Sequence, residues 1–376
     1  MSDEITLEVG GVAHGRWESY RVDANLLTPA DAWELSLWAE PEDPCRLITT
    51  RLPPNVSEGA AVQLRLGGEL ILWGLIDAID EHMDKQGHGL SISGRDLGSL
   101  LLDCSVPLLQ FQQMTLTQVL KKAVALLGIS KVAWLAEPMA PRQKLHTEPG
   151  QSVWDWLKTA CEANGVWPWF APDGTLVIGQ PDYTAAPVAD LVLRLDGQGN
   201  NVKRLSRHKS IHERHSEVTV LGQAAGDGDG GQHRVTGKAT DATVPIFRPR
   251  LLLDGNCESI ALAETRAKKV VADGRMAGER WEATVKGHRI IGTDGKPGSP
   301  WAPGVRVNLK AEPFGVDAVY YVIGRTFTLS RSGGQETVLK LIEDGSWVLN
   351  MPKVKGKRRR DYRKKNQKYA PPGGTP

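Results

Sequence analysis

Cysteine is scarce. Only Cys45, Cys104, Cys161 and Cys257 occur in 376 residues, and no two form a CxxC pair. That spacing argues against a zinc ribbon and against a small disulfide scaffold, and free thiols in a reducing cytoplasm are the simplest state. No stretch is long and apolar enough to span a bilayer. The opening MSDEITLEVGG has no basic flank and no apolar run, so it does not read as a signal peptide. The usual catalytic signatures are missing as well. No GxGxxG lies between a strand and a helix, and GxxxxGK[ST], GxSxG and HExxH do not occur. Phenylalanine is rare, with 5 residues against 12 Trp. Such a Trp excess reads first as core and interface filling, because each indole buries a large apolar area.

What is present suits a soluble chain of two or three domains, with 40% hydrophobic and 24% charged residues. The 40 Gly and 23 Pro fit many turns between short strands. The net charge of +2 hides an asymmetry. From Met351 onward there are ten Lys or Arg and one Asp, so a strongly basic tail follows a body that is net acidic. This tail, residues 351–376, has no apolar period and reads as disordered. Its Arg360, Tyr362, Arg363 and Tyr369 suit nucleic acid or anionic lipid; a solvated tail and a docking peptide that orders on an acidic partner are the other readings.

The stretch from Leu70 to Cys104 organises the chain. Leu70, Leu72, Gly74, Ile76 and Ala78 alternate along a strand, Lys85-Gln86-Gly87 turns, and Leu90 and Ile92 begin the return. Asp96 can cap a short helix whose Leu97, Leu100 and Leu101 face inward. A structural corner fits these residues better than a binding site. Upstream, Ile5, Leu7 and Val9, then Trp33, Leu35 and Leu37, then Val62, Leu64 and Leu66 alternate in the same way. Residues 1–104 therefore read as a small antiparallel barrel or sandwich.

Residues 105–180 change period. A helix spans TLTQVLKKAVALLG, with Thr115 and Gln118 as a capping box and Gly128 as its stop. A second follows Ser152 and Asp155, with Val153, Leu157 and Ala160 buried, and a hairpin turns at Pro172-Asp173-Gly174. This is a small α+β insert. From 181 to 350 strands return near Leu191–Leu195, Val218–Leu221, Trp281–His288, Val305–Leu309, Ala318–Val322, Arg325–Ser330 and Glu336–Ile342. A helix capped by Asn256 is embedded among them.

Candidate chemistry is thin. His208, His212 and His215 would share a face only on a helix, and they sit among Arg207, Lys209 and Arg214. A solvated charged edge is the stronger reading than a zinc site. The Gly/Asp loop Ala224–Arg234 lacks the terminal Glu of a calcium loop. The acidic pairs Glu42/Asp43 and Glu343/Asp344 fall in turns or strand ends. Trp33, Trp154 and Trp156 sit where core residues belong rather than on a sugar platform. No catalytic, cofactor-binding or metal-binding residue is assigned, and no cofactor is expected.

A resemblance adds to this reading. The Trp-Gly strand and hairpin leading to SGRD and LLDCSV resemble the first barrel of Mu-like phage baseplate hub proteins. GQSVWDWLKTACEANGVWPWFAPDGTLVI resembles the family's helix-then-hairpin segment, and AETRAKKVVADGRMAGERWEATVKGH with the later WAPGVRVNL resembles its second-barrel segment. The family is related to the late-control gene D proteins and to the N-terminal hub of type VI secretion spike proteins. The resemblance implies a mainly β chain with two small antiparallel β-barrels of similar fold, 1–104 and 181–350, and the insert between them. It implies a homotrimer joining a hexameric tail tube to a trimeric central spike, with other baseplate proteins around it. DNA would pass through its channel without specific binding, and no membrane insertion is implied. The expected place is the virion tail baseplate, assembled in the bacterial host cytoplasm, with no enzymatic activity. A cell-wall carbohydrate hydrolase or carbohydrate-binding tail component is the alternative.

Overall fold

The computed structural model describes residues 4–39, 55–84, 87–106, 111–114, 116–135, 142–145, 150–162, 165–223, 234–254, 257, 259–292 and 295–349. The basic tail, the loop at 224–233, Cys45, Glu42/Asp43, Thr115 and the Asn256 cap lie outside these residues.

The chain opens with strands β1 (Ile5–Val9), β2 (Val12–His14), β3 (Ser19–Asn25), β4 (Ala32–Ala39), β5 (Ala61–Leu66), β6 (Glu69–Asp84) and β7 (Gly87–Asp96). The insert contains α1 (Gly98–Asp103), β8 (Phe111–Met114), α2 (Leu116–Ala125), β9 (Val132–Trp134), β10 (Arg142–Leu145), α3 (Val153–Glu162), β11 (Trp167–Phe170) and β12 (Leu176–Gly179). Then come β13 (Asp190–Leu193), β14 (Val202–Lys209), β15 (Glu217–Gln223), β16 (Arg234–Thr240), β17 (Pro249–Leu253) and α4 (Ile260–Gly278). The chain closes with β18 (Glu279–Lys286), β19 (Arg289–Ile291), β20 (Pro297–Pro300), β21 (Arg306–Ala311), β22 (Val316–Ser330) and β23 (Gly334–Glu343).

The first and last β regions are one sheet. Its thirteen strands follow the order β14-β18-β23-β22-β3-β4-β7-β6-β5-β1-β2, with β21 and β13 branching from β22. The joint is the antiparallel pairing of Tyr20–Asn25 with Gly324–Leu329. One core runs beneath both regions, from Ile5, Trp33 and Leu64 to Trp281, Phe327 and Leu339. Separate barrels, expected from the sequence, are thus replaced among the described residues by a continuous sheet over a shared core.

Two local expectations fail for one reason. Ile76 faces the core as anticipated, but Ala78 does not share its face, because a bulge between Ile76 and Ala78 shifts the alternation. Ile79 packs on the core instead. In β22 the bulge between Val322 and Gly324 does not end the strand, so Ala318–Val322 and Arg325–Ser330 belong to a single strand.

The insert has its own core. Val119, Leu120, Ala123 and Val124 of α2 meet Val153, Trp154, Trp156 and Leu157 of α3, and the cluster extends to Tyr321, Ile323 and Ile342 of the main sheet. Ser152 caps α3 by accepting from the Asp155 N–H at 3.0 Å. Gly128, at φ +77°, follows α2 in the left-handed conformation its position required.

Helix α4 is not embedded in the main sheet. It packs on a separate three-stranded sheet, β16-β15-β17, through Ala263, Ala267 and Val271 against Val218, Val220 and Val235. Its cap is Ser259, whose side chain accepts from the Leu262 N–H. Small residues set the closeness of this packing. A Cβ on Gly237 would lie 2.2 Å from the Ala263 carbonyl carbon and from the Glu264 nitrogen. Gly237→Val is therefore expected to push α4 off its sheet and to cost about 1–3 kcal/mol or more. Hydrogen exchange should show the loss confined to residues 214–278, leaving the main sheet protected.

Candidate assembly surfaces

The joint between the two β regions is built from buried polar groups. Arg325 is 3% exposed, and its Nη1 donates to the Val22 carbonyl at 2.8 Å while its guanidinium stacks 3.9 Å from the Phe327 ring. Burial lowers its pKa to about 10, a fall that nearby Asp31 and Asp23 oppose. Asp31 accepts from the Asn25 N–H at 2.8 Å, and its carbonyl accepts from the Asp96 N–H at 2.9 Å. Burial pushes the Asp31 carboxyl up to about 7, against the pull of the Asn25 N–H and of Arg325. Asp96 is raised well above the ordinary range by burial and by the like charge of Asp31. Its Oδ1 accepts from the Gly98 N–H at 2.8 Å, a turn leading into α1, while the cap position expected for Asp96 falls to Leu97.

A second tie lies on the same core. His288, fully buried, sits 2.7 Å from the Tyr20 hydroxyl and 3.1 Å from Thr337 Oγ1. Thr337 spends its proton on the Gly287 carbonyl, at 2.6 Å. The hydroxyl oxygen is then left to accept from Nδ1–H. A buried imidazole hydrogen-bonded on both sides thus links β3 to the last β region. Beside it, buried Arg289 donates to the Leu66 and Gly298 carbonyls and to Glu69, fixing the β19–β20 hairpin against the β5–β6 turn.

The outer face of the joined sheet is polar and charge-balanced. Directly paired residues share a face, and one row crosses both regions: Lys286, Glu336, Thr328, Arg21, Glu34 and Ser93. Two cations, two anions and two hydroxyls alternate along it.

The sequence candidates are dispersed. His208 is on β14, and His212 and His215 follow it in the connection to β15, so the helical alignment that would bring them together does not exist. Among the described residues no group of three or more His, Cys, Asp or Glu is placed to hold a metal ion. Asp344 is taken by Arg306 at 2.6 Å. Trp33, Trp154 and Trp156 are buried in the two cores, and Cys161 is buried with its thiol pushed far up by burial. No local pattern marks Arg325, Asp31, His288 or Arg289 as a joint. Each looks like an ordinary surface residue until the sheet pairing is known.

The arrangement is a continuous sheet over two β regions with an α+β insert, an architecture shared with proteins of phage tails. Four family descriptions match successive parts of the chain. They are the N-terminal region of Mu phage baseplate assembly protein GpP-like (residues 4–96) and the second domain of baseplate hub protein gp44-like (98–180). The third domain of tail protein NMB1110-like (214–271) and a tail protein C-terminal domain (273–346) complete the set. The crystal structure of the tail protein from Neisseria meningitidis MC58 superposes with a TM-score of 0.80 at 32% identity, covering 94% of this chain and all of that one. The 43 kDa tail protein of prophage MuSo2 from Shewanella oneidensis gives 0.78 at 24% identity, covering 93% of this chain and all of that one. Baseplate hub protein gp44 of Escherichia phage Mu is 24% identical over 362 residues, covering 91% of this chain and 88% of that protein. The chain belongs to the Mu-like phage baseplate hub proteins. It is a structural component of the phage tail.

Proposed function

We propose that the chain is a trimeric, non-enzymatic adaptor that joins a six-fold tail tube to a three-fold central spike, with a channel for DNA. The observation that carries this reading is a topology used twice. In chain order the first region's strands are β1, β3, β4, β5, β6 and β7, and they lie in the sheet as β1-β5-β6-β7-β4-β3. The last region's are β13, β14, β18, β21, β22 and β23, and they lie as β13-β21-β22-β23-β18-β14. The two orders are the same. Both long hairpins carry their bulge at the same distance from the turn, after Ala78↔Ser93 in one and after Gly324↔Lys340 in the other. Two matching backbone pairs precede it: Gly59 N to Ile76 O with Ile76 N to Ala60 O, and Gly304 N to Val322 O with Val322 N to Val305 O. One difference remains, since β1 runs antiparallel to β5 while β13 runs parallel to β21.

Two like arms per chain give three copies six similar surfaces, which is what a three-fold body needs to meet a six-fold ring. The insert, α4 and its sheet differ from the arms and remain three-fold, available to the spike and to other baseplate proteins. The balanced row from Lys286 to Ser93 suits a channel wall, because a basic wall would hold DNA phosphates by counterion release. This function requires no catalysis, no cofactor and no membrane insertion. The protein would assemble in the host cytoplasm before it enters the virion. Light scattering of the purified chain at micromolar concentration is expected to give three times the 41.0 kDa chain mass; a monomer there would remove the trimer. Peptidoglycan release by the pure protein would instead favour the carbohydrate hydrolase.

A further inference from the structure

Among the described residues the joint between the arms is made once, and both halves of a second such joint are left over. Within the chain, Gly324–Leu329 of β22 lies between β23 and β3. The shared bulge places its counterpart in β6 at Ala78–Met83. That segment pairs with β7 on one side. On the other side β5 stops opposite Leu75, and Gly59 and Ala60 reach only Ile76. No strand among the described residues continues along Ala78, Ile79, Asp80 and Glu81. The counterpart of β3 is β14, which pairs with β18 and ends the sheet. Six strands separate β14 from β6 in that sheet, and the two do not pair with each other.

We propose that β14 of one copy pairs antiparallel with Ala78–Met83 of the next, in the register that β3 makes with β22. The proposal rests on the trimer reading above and names the surface by which its copies meet. The register follows from two tryptophans. Trp33 of β4 and Trp281 of β18 occupy the same place, opposite Gly94 and Leu341 beside the bulges. Val22 pairs with Trp33 as Arg207 pairs with Trp281, so Val22 corresponds to Arg207, Asp23 to His208 and Tyr20 to Leu205. Val22, Asp23 and Tyr20 face Phe327, Thr326 and Leu329, whose counterparts in β6 are Glu81, Asp80 and Met83. The copied register therefore sets Glu81 opposite Arg207, Asp80 opposite His208 and Met83 opposite Leu205.

The side chains at the joint agree with a placement derived from strand pairing and the matched tryptophans. The β6 edge offers Asp80 and Glu81, and β14 offers Lys203, Arg204, Arg207, His208 and Lys209. Arg207 already bonds Glu279 and stacks 4.8 Å from the Trp281 ring, so it is held in place to meet a second carboxylate. Met83, 70% exposed, would gain an apolar partner in Leu205. A free edge on a long strand invites pairing with another chain. Two different edges joined head to tail build a ring when the rotation closes.

The test is a Met83→Cys/Leu205→Cys variant under mild oxidation. Directly opposed residues in an antiparallel pair have Cα atoms about 4.5–5.5 Å apart, within disulfide reach. A covalent trimer on a non-reducing gel is expected, and neither single variant should give one, although each keeps the native cysteines. Glu81→Lys, at an exposed position, is expected to raise the concentration for half-assembly about tenfold or more. A trimer by light scattering that neither cross-links here nor responds to Glu81→Lys would overturn this contact and leave the trimer standing. A monomer that never cross-links would overturn both.

Discussion

Trp33→Ala is expected to destabilise the chain by about 3–5 kcal/mol, and Trp281→Ala by a similar amount. The two indoles are 2% and 1% exposed, and each fills the core of one arm at the matched position. Trp33 lies against Gly94, where an added Cβ would stand 2.6 Å from the ring, so the site was fitted around the indole and cannot collapse to fill the gap. Trp281 is enclosed by Phe314 at 5.2 Å, Tyr320 at 5.9 Å and the Arg207 guanidinium. Natural stability is about 5–15 kcal/mol, so either variant should sit near the edge of folding at 37 °C. Urea denaturation is the measurement. Because one core underlies both arms, the two variants should unfold the main sheet as a whole. A transition confined to the mutated arm would show that the arms are energetically separate.

Stability should fall as pH rises from about 4 through about 7, because of Asp31. Its carboxyl titrates near 7 in the folded chain against an ordinary value of 3.8. The folded state thus binds the proton more tightly than the unfolded state, and its contribution is largest below the unfolded pKa. As pH passes through about 7 the folded carboxyl must ionise beside Asp96, and the advantage is lost. A shift of this size corresponds to on the order of 4 kcal/mol between the two limits. Asp31→Asn keeps an oxygen for the Asn25 N–H and removes both the charge and its pressure on Asp96. The variant should show a flatter profile and exceed the parent in stability at pH 8. Denaturation midpoints at pH 5 and pH 8 decide it: a parent more stable at pH 8, with the variant no better there, would reject the assignment.

Much of the local fold was legible because strand burial has a period of two. Ile5, Leu7 and Val9, and Val62, Leu64 and Leu66, are buried as their alternation required. The helices of the insert were legible from spacing, and α3 also from its capping Ser152. What could not be read was pairing at long range. Tyr20–Asn25 meets Gly324–Leu329 some three hundred residues away, and no local pattern encodes that. The twofold topology was hidden for a related reason. It is conserved in hydrogen bonding and bulge position, while the side chains at matched places differ, as Asp77 and Ile323 do at the bulges. Asp77 is bound by exposed Arg95, whereas Ile323 turns into the core of the insert. The edge strand Pro249–Leu253 was missed because Leu251 and Leu253 point outward, which defeats any search for buried alternation. Helix α4 was legible as a helix, but its partner sheet was not, since the glycine that admits it looks in sequence like any turn glycine.

The β3–β22 ladder also fixes how the chain bears force. A pull along those strands loads all six residue pairs in shear at once, whereas a pull across them would peel them open one after another. Arg325 lies within the ladder, donating to the Val22 carbonyl, and His288 sits beside it on Tyr20, so both brace it against peeling. Each chain should therefore carry load across this joint as a stiff strut.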